Sequence, residues 1–132
     1  MSQKSFLIKG FNKQFFDFLD DIIRIFPDKN ELKTAQSYFT TAKTANPTIL
    51  LKVWFSHICI PYKDQIERGE LHYFLEKDYS TDLSSMTNGK EIMNFVDSSL
   101  REPLRNMDAS NLEHCVKYIQ LLTKISIAYY GH

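Results

Sequence analysis

The sequence predicts an all-α fold, a compact bundle of five to six helices around a buried central helix at about residues 46–60. Three observations lead there. Apolar residues recur at helical spacing through most of the chain. Helix starts and stops punctuate that pattern at Phe26-Pro27-Asp28, Asn46-Pro47 and Gly131. The stretch NPTILLKVWFSHICI at 46–60 carries a single formal charge, Lys52, and the only Trp, Trp54. Its polar residues Thr48, Lys52 and Ser56 make one narrow stripe, and a helix apolar on every other side is buried by several neighbours. At roughly 1.5 Å per residue it is too short to span a bilayer.

In chain order, residues 1–10 read as an N-terminal arm ended by Gly10, with Phe6-Leu7-Ile8 its only apolar group. Residues 11–132 read as a single helical domain. Helix 1 is expected from Phe11 to Ile25, with Phe11, Phe15, Phe18, Leu19, Ile22 and Phe26 on one face and Asp17, Asp20, Asp21 and Arg24 opposite. Pro27 stops it. Asp28-x-x-Glu31 has the form of a capping box for a second helix whose inner stripe is Leu32, Ala35, Phe39 and Ala42. Asn46 caps the central helix with Pro47 in its first turn. Pro61 closes or kinks that helix, and further turns through Tyr62 and Ile66 stop at Gly69.

A short helix over Gly69–Lys77, with a short strand as the alternative, then a polar loop to Asn88, is the weakest-patterned region. Helix 5 is expected over Lys90–Leu100, and Pro103 forces a break or a fresh turn through Leu104 and Met107. Ser110-x-x-Glu113 is read as a second capping box opening the last helix, which runs to Tyr130. That helix has one polar stripe, Glu113, Lys117, Gln120 and Lys124. Its other faces hold more apolar surface than one contact needs, which points to an interface.

Composition excludes several classes. Hydrophobic residues make up 43%, too many for a disordered chain. Sixteen basic and sixteen acidic residues give no net charge, whereas a dedicated nucleic-acid binder advertises a basic excess. The halves differ: residues 1–66 hold nine Lys/Arg and six Asp/Glu, and residues 67–132 hold seven and ten. Two solvated faces of unlike sign explain this, as does self-association with opposite faces meeting. Cys59 and Cys115 lie in apolar runs and read as buried free thiols in a reducing compartment. Sequence gives no distance to rule on a disulfide between them. Nothing reads as a signal peptide or a membrane span.

Chemistry-bearing motifs are sparse. His57-x-Cys59 and His114-Cys115 place neighbours on different sides of a helix, unlike convergent zinc ligands. His72 with Glu76, and Asp78 with Asp82, would share helix faces, and such pairs can hold a divalent ion, although a charge-rich exposed turn gives them by chance. Four glycines leave no phosphate loop, and no nucleophile elbow is present. No catalytic residue, cofactor or metal is therefore expected. The reading is a non-enzymatic protein whose interaction residues are Tyr118, Leu121, Ile125, Tyr129 and Tyr130 on the last helix, with Glu70, Asp78 and Tyr79 on an acidic patch. The partner is a second copy, as a homodimer, or another protein. Nucleic acid bound by Lys4, Lys9, Lys13, Lys29, Lys33 and Lys43 is the less favoured partner, as expected of a transcription or replication factor. A membrane is not expected.

Three blocks carry a resemblance: Phe15-Phe16-Asp17-Phe18-Leu19-Asp20-Asp21 leading to Phe26-Pro27-Asp28; Asn46-Pro47 followed by Trp54; and Pro61-Tyr62 with Ile66, Gly69-Glu70, Phe74 and Asp78-Tyr79. Over residues 11–83 the chain resembles small uncharacterised all-α proteins encoded by large nucleocytoplasmic DNA viruses, marseillevirus-type viruses among them. The resemblance implies a product made inside an infected host cell, in cytoplasm or nucleus, and a candidate for packaging in the virion. It implies no catalytic residue.

Overall fold

The computed structural model describes residues 3–70 and 102–131, and every described element is helical. The short helix expected at 69–77, the loop to 88 and the helix at 90–100 lie outside the described residues, as do Asp78, Tyr79 and the His72–Glu76 and Asp78–Asp82 pairs. Seven helical elements are described. Helix α1 spans Gln3–Ile25, α2 Asn30–Ala45 and α3 Ile49–Trp54. One π-helical turn at Phe55–Cys59 leads into α4, Ile60–Glu67. A short α5, Glu102–Arg105, precedes α6, Ala109–Tyr130.

The first correction concerns the arm. Helix α1 starts at Gln3, so residues 3–10 are its opening turns and Gly10 lies inside the helix. Ile8 packs against the core and draws the helix upstream. Beyond it, Phe11, Phe15, Phe18, Leu19 and Ile22 are all buried, the spacing read from the sequence. Pro27 follows the helix end as expected. The capping box at Asp28 does not form. The cap position falls on Lys29, which makes no side-chain cap, so Asp28 lies outside the helix and Glu31 occupies its second position. The outward threonines of α2 are satisfied within it: Thr34, Thr40 and Thr44 donate to the carbonyls of Asn30, Gln36 and Thr40.

Asn46 turns the chain into the central rod. Its Oδ1 accepts from the Thr48 backbone N–H at 3.2 Å and from the Thr48 hydroxyl at 2.8 Å, but the helix begins at Ile49 with Thr48 in the cap position, so the expected cap at Asn46 and first-turn Pro47 fall in the preceding turn instead. Pro61 does not close the rod. A proline inside an α-helix lacks its N–H, and its ring clashes with the carbonyl four residues back. Here the wider π turn lies just ahead of it, with the Ile60 N–H donating to the Phe55 carbonyl, and Pro61 falls in the first turn of α4. Helix α4 ends at a glycine in the left-handed region, Gly69 at φ +75°. The Gly69 N–H donates to Ile66 O at 2.9 Å and the Glu70 N–H to Gln65 O at 2.8 Å, a Schellman closure.

The second capping box is also displaced. Asp108 caps α6 by accepting from the Asn111 N–H at 2.8 Å, which leaves Ser110 inside the first turn. The helix stops at Gly131, φ +77°. Helices α1 and α6 lie side by side and antiparallel: Lys4 meets Tyr129, Phe18 meets Tyr118, and Asp21 meets His114. The rod crosses between α1, α2 and α6.

Trp54 is the hub of the core. Its ring meets Phe11 edge-on at 6.1 Å and Phe15 at 6.4 Å, and Phe15 meets Phe39 of α2 at 5.0 Å. Its single N–H donates to Thr123 Oγ1 of α6 at 3.0 Å, and that hydroxyl donates onward to Ile119 O at 2.8 Å. One buried chain of hydrogen bonds thus ties the rod to α6. Thr123→Val keeps the shape and strands the indole N–H, a loss expected at about 1–3 kcal/mol. Urea unfolding checks this, with Thr123→Ser expected to retain most of the stability.

Gly10 offers an opposite test. A Cβ built there meets nothing within 4 Å. Glycine inside a helix costs roughly 0.5–1 kcal/mol relative to alanine. Gly10→Ala is therefore expected to raise the melting temperature, whereas a separate arm ending at Gly10 would leave it unchanged.

Candidate interaction surfaces

The surfaces follow from how α6 divides its faces. Cys115, Ile119, Leu122, Thr123 and Ser126 point into the core. Positions 114, 117, 118, 121 and 125 fall along an outer line, because residues three and four apart share a helix face. The polar stripe expected at Glu113, Lys117, Gln120 and Lys124 lies outward, although Gln120 is half-buried. Its amide donates to the carbonyls of Ile66 at 3.0 Å and Glu67 at 3.4 Å, closing the end of α4.

Of the residues expected to form an interface, Tyr118 is held within the chain. It stacks on Phe18 at 5.1 Å, and its hydroxyl donates to Asp21 Oδ2 at 2.7 Å. The same carboxylate lies 3.3 Å from His114 Nε2 and pairs with Arg24. This four-residue clasp joins α1 to α6. Burial opposes the charge on Asp21 most strongly, but the hydrogen bonds from Tyr118 and His114, together with Arg24, win and hold its carboxyl below 3.8. The hydrogen bond to Asp21, with burial and the nearby charge, pushes the Tyr118 hydroxyl up to about 12.

Leu121 remains open, 40% exposed. It lies with Gln14, His114, Lys117 and Tyr118 around a shallow groove of about 150 Å³ between α1 and α6. Ile125, one turn further on, is half-buried. Tyr129 follows Ile125 one turn further along the same face, and Tyr130 beside it ends the helix. Tyr130 stacks on Phe55 of the π turn at 4.2 Å, Tyr129 meets Tyr130 edge-on at 5.0 Å, and Lys4 Nζ lies 5.1 Å from the Tyr129 ring. Glu70 is exposed and paired with Arg68 at 3.2 Å, just past the end of α4. The six of these eight residues that are described thus do not gather at one place, and Asp78 and Tyr79 lie outside the described residues. Tyr118, Leu121 and Ile125 share a line that Tyr129 continues towards the helix end, Tyr130 turns to Phe55, and Glu70 lies past the end of α4.

The lysines proposed for nucleic acid are also divided. Lys4 and Lys9 are at the start of α1 and Lys29 and Lys33 are around the start of α2. These are opposite ends, because the two helices run antiparallel, with Gln36 bonded to Asp20 and Lys43 over Phe16. Lys13 pairs with Asp17 at 2.8 Å, and Lys29 lies over Phe26. Cys59 and Cys115 are free and buried. Burial and the Asp21 charge push the Cys115 thiol up to about 11, and burial raises Cys59. Cys115 Sγ lies 3.6 Å from Met107 Sδ, while His114 faces the clasp. Among the described residues no group of three His, Cys, Asp or Glu could hold a metal ion, and no helix is long and apolar enough to cross a membrane.

Sequence reasoning did not single out the clasp. Asp21 was read only as part of the polar side of helix 1, and its partners lie 93 and 97 residues away along the chain. Comparison of the chain with protein-family models, curated proteins and solved structures finds no match.

The clasp gives a signed pH prediction. A carboxylate held below its ordinary value stabilises the fold above that value, and the contribution is lost as pH falls through the folded-state pKa. Wild-type stability is expected to fall more steeply than that of Asp21→Asn as pH drops below 3.8. Tyr118 adds the converse: its contribution is complete below 10.0 and is lost as pH rises through about 12. Tyr118→Phe is expected to cost about 1.5–3 kcal/mol near neutrality, as for a hydrogen bond to a charged group. Urea midpoints across pH check both.

Proposed function

We propose that this chain is a non-enzymatic protein–protein interaction module that pairs with a second copy of itself along the outer line of α6. The observation that carries the reading is Leu121, a large apolar side chain left 40% exposed in the α1–α6 groove. Half-buried Ile125 and Tyr118 extend the apolar line on either side, and Lys117 and Lys124 flank it. A two-fold contact here is isologous, so Leu121 meets its own counterpart and the lysine stems cover the rim. The clasp beneath fixes the spacing of α1 and α6, so the contact line is rigid before a partner arrives, which lowers the ordering cost of association. The sequence blocks at residues 11–83 add the proposed setting: a product of a large nucleocytoplasmic DNA virus, acting in the interior of the infected cell and packaged as a virion component.

Sedimentation velocity over a concentration series tests the module. The expected result is a dimer for wild type and a monomer of unchanged helix content for Leu121→Glu. Wild type that stays monomeric throughout the series overturns the self-association reading.

A further inference from the structure

The charges of this neutral chain are segregated in a way that the fold turns into a surface. Residues 3–16, 46–63 and 114–131 contain seven lysines and no acidic residue. All seven lysines are exposed. The described acidic residues lie instead in residues 17–31, 64–70 and 102–113. The tertiary contacts bring the start of the first stretch, the π turn of the second and the end of the third together at one end of the bundle, while Lys13, paired with Asp17, and Lys117, beside the clasp, lie away from it. Lys4 lies over Tyr129, Tyr129 meets Tyr130, Tyr130 stacks on Phe55, and Phe55 is backbone-bonded to Ile60. The clasp carboxylate belongs to the other half of α1.

This cationic end also carries three of the four exposed large apolar side chains among the described residues, the fourth being Leu121. Phe6, between Lys4 and Lys9, is 70% exposed, Ile60 is 64% exposed and Tyr130 is 37% exposed. Lysines around protruding Phe, Ile and Tyr side chains suit a bilayer interface. The apolar groups enter the headgroup and acyl boundary while the ammonium groups meet anionic lipid. Two features favour lipid over single-stranded nucleic acid. Base stacking along a strand needs successive open aromatic faces, and of the two exposed aromatic rings here only Phe6 is open, since one face of Tyr130 is taken by Phe55. Ile60, the more exposed of the two residues at the π turn, has no aromatic face to offer, but it gains from an acyl environment.

We propose that this end of the bundle, built from the start of α1, the π turn and the end of α6, docks the protein on anionic phospholipid membranes as a peripheral, non-spanning contact. The sequence argument against a membrane concerned spanning length, which surface attachment does not need. This surface lies at the end of α6, about two turns beyond Leu121, and does not include Lys117 or Lys124, so different variants test the two readings.

Vesicle co-sedimentation of the full chain tests the proposal, using phosphatidylcholine vesicles with and without phosphatidylserine. Binding is expected only with phosphatidylserine and is expected to weaken with salt. Lys4→Gln with Lys9→Gln, and separately Phe6→Ser, are each expected to weaken it about tenfold or more, because each removes part of the charge or the anchor. Leu121→Glu is expected to leave it unchanged. Circular dichroism melts confirm that the variants fold, and the exposed position of Phe6 makes that the expected result. Three results would overturn the proposal: no binding to phosphatidylserine vesicles, binding indifferent to both variants, or lysine-dependent binding to a single-stranded oligonucleotide with none to vesicles.

Discussion

The arrangement of this bundle depends on the burial of Trp54. An indole is the largest side chain available, and it carries one donor that water cannot reach once the ring is 2% exposed. Thr123 is the acceptor that makes this burial tolerable, so α6 must sit with one particular residue over the rod. Phe11 and Phe15 fill the space against the other side of the ring, which fixes the level of α1. Phe39 then fixes α2 through Phe15. A second polar pin, from Asn12 Nδ2 to the carbonyl of Pro47 at 2.9 Å, holds α1 to the entry of the rod. Apolar burial supplies the driving force for these contacts but is non-directional. The two hydrogen bonds give them direction.

Away from the core, α1 and α6 meet at contacts of different character. Towards the start of α6, the partly buried Asp21 collects donors from Tyr118, His114 and Arg24, a directional arrangement sensitive to protonation. At the other end, Lys4 covers an aromatic ring and no carboxylate is present in the adjoining stretches. The chain is neutral in sum, but its described acidic residues are absent from three stretches of the sequence. Net charge alone, which argued against an anionic partner, averages over this separation.

Much of the fold was legible in the sequence. The inner faces of α1 and α2, the burial of Trp54, the inward Tyr62 and Ile66, and the glycine stops at Gly69 and Gly131 follow from spacing and backbone chemistry. The caps were less legible. Asp28 and Ser110 each begin a pattern with a glutamate three residues later, yet the chain starts its helices elsewhere, at Asn30 after an uncapped Lys29 and at Ala109 after Asp108. A capping box is worth little beside the packing that fixes where a helix must begin. Gly10 misled for a similar reason, since its conformational freedom is compatible with a helix when Ile8 has a core to reach. The π turn went unread because a proline announces disruption without saying how a neighbouring turn will absorb it.

The sequence by itself determined the helical class, the identity of the central rod and most of the side chains buried in it, though Ile60, part of that apolar run, is 64% exposed, because periodicity is a local property and burial is not. It also contained the three acid-free stretches, but as separate runs of residues with no common address. Only the tertiary structure decided that Tyr118 belongs to an internal clasp while Leu121 stays open, although both stood in the same apolar surplus on α6. It likewise decided that Tyr129, Tyr130, Phe55 and Lys4 gather at one end. Those outcomes depend on pairings between positions as much as 125 residues apart, Lys4 with Tyr129, and the spacing of residues along a chain carries no information about which distant faces will meet.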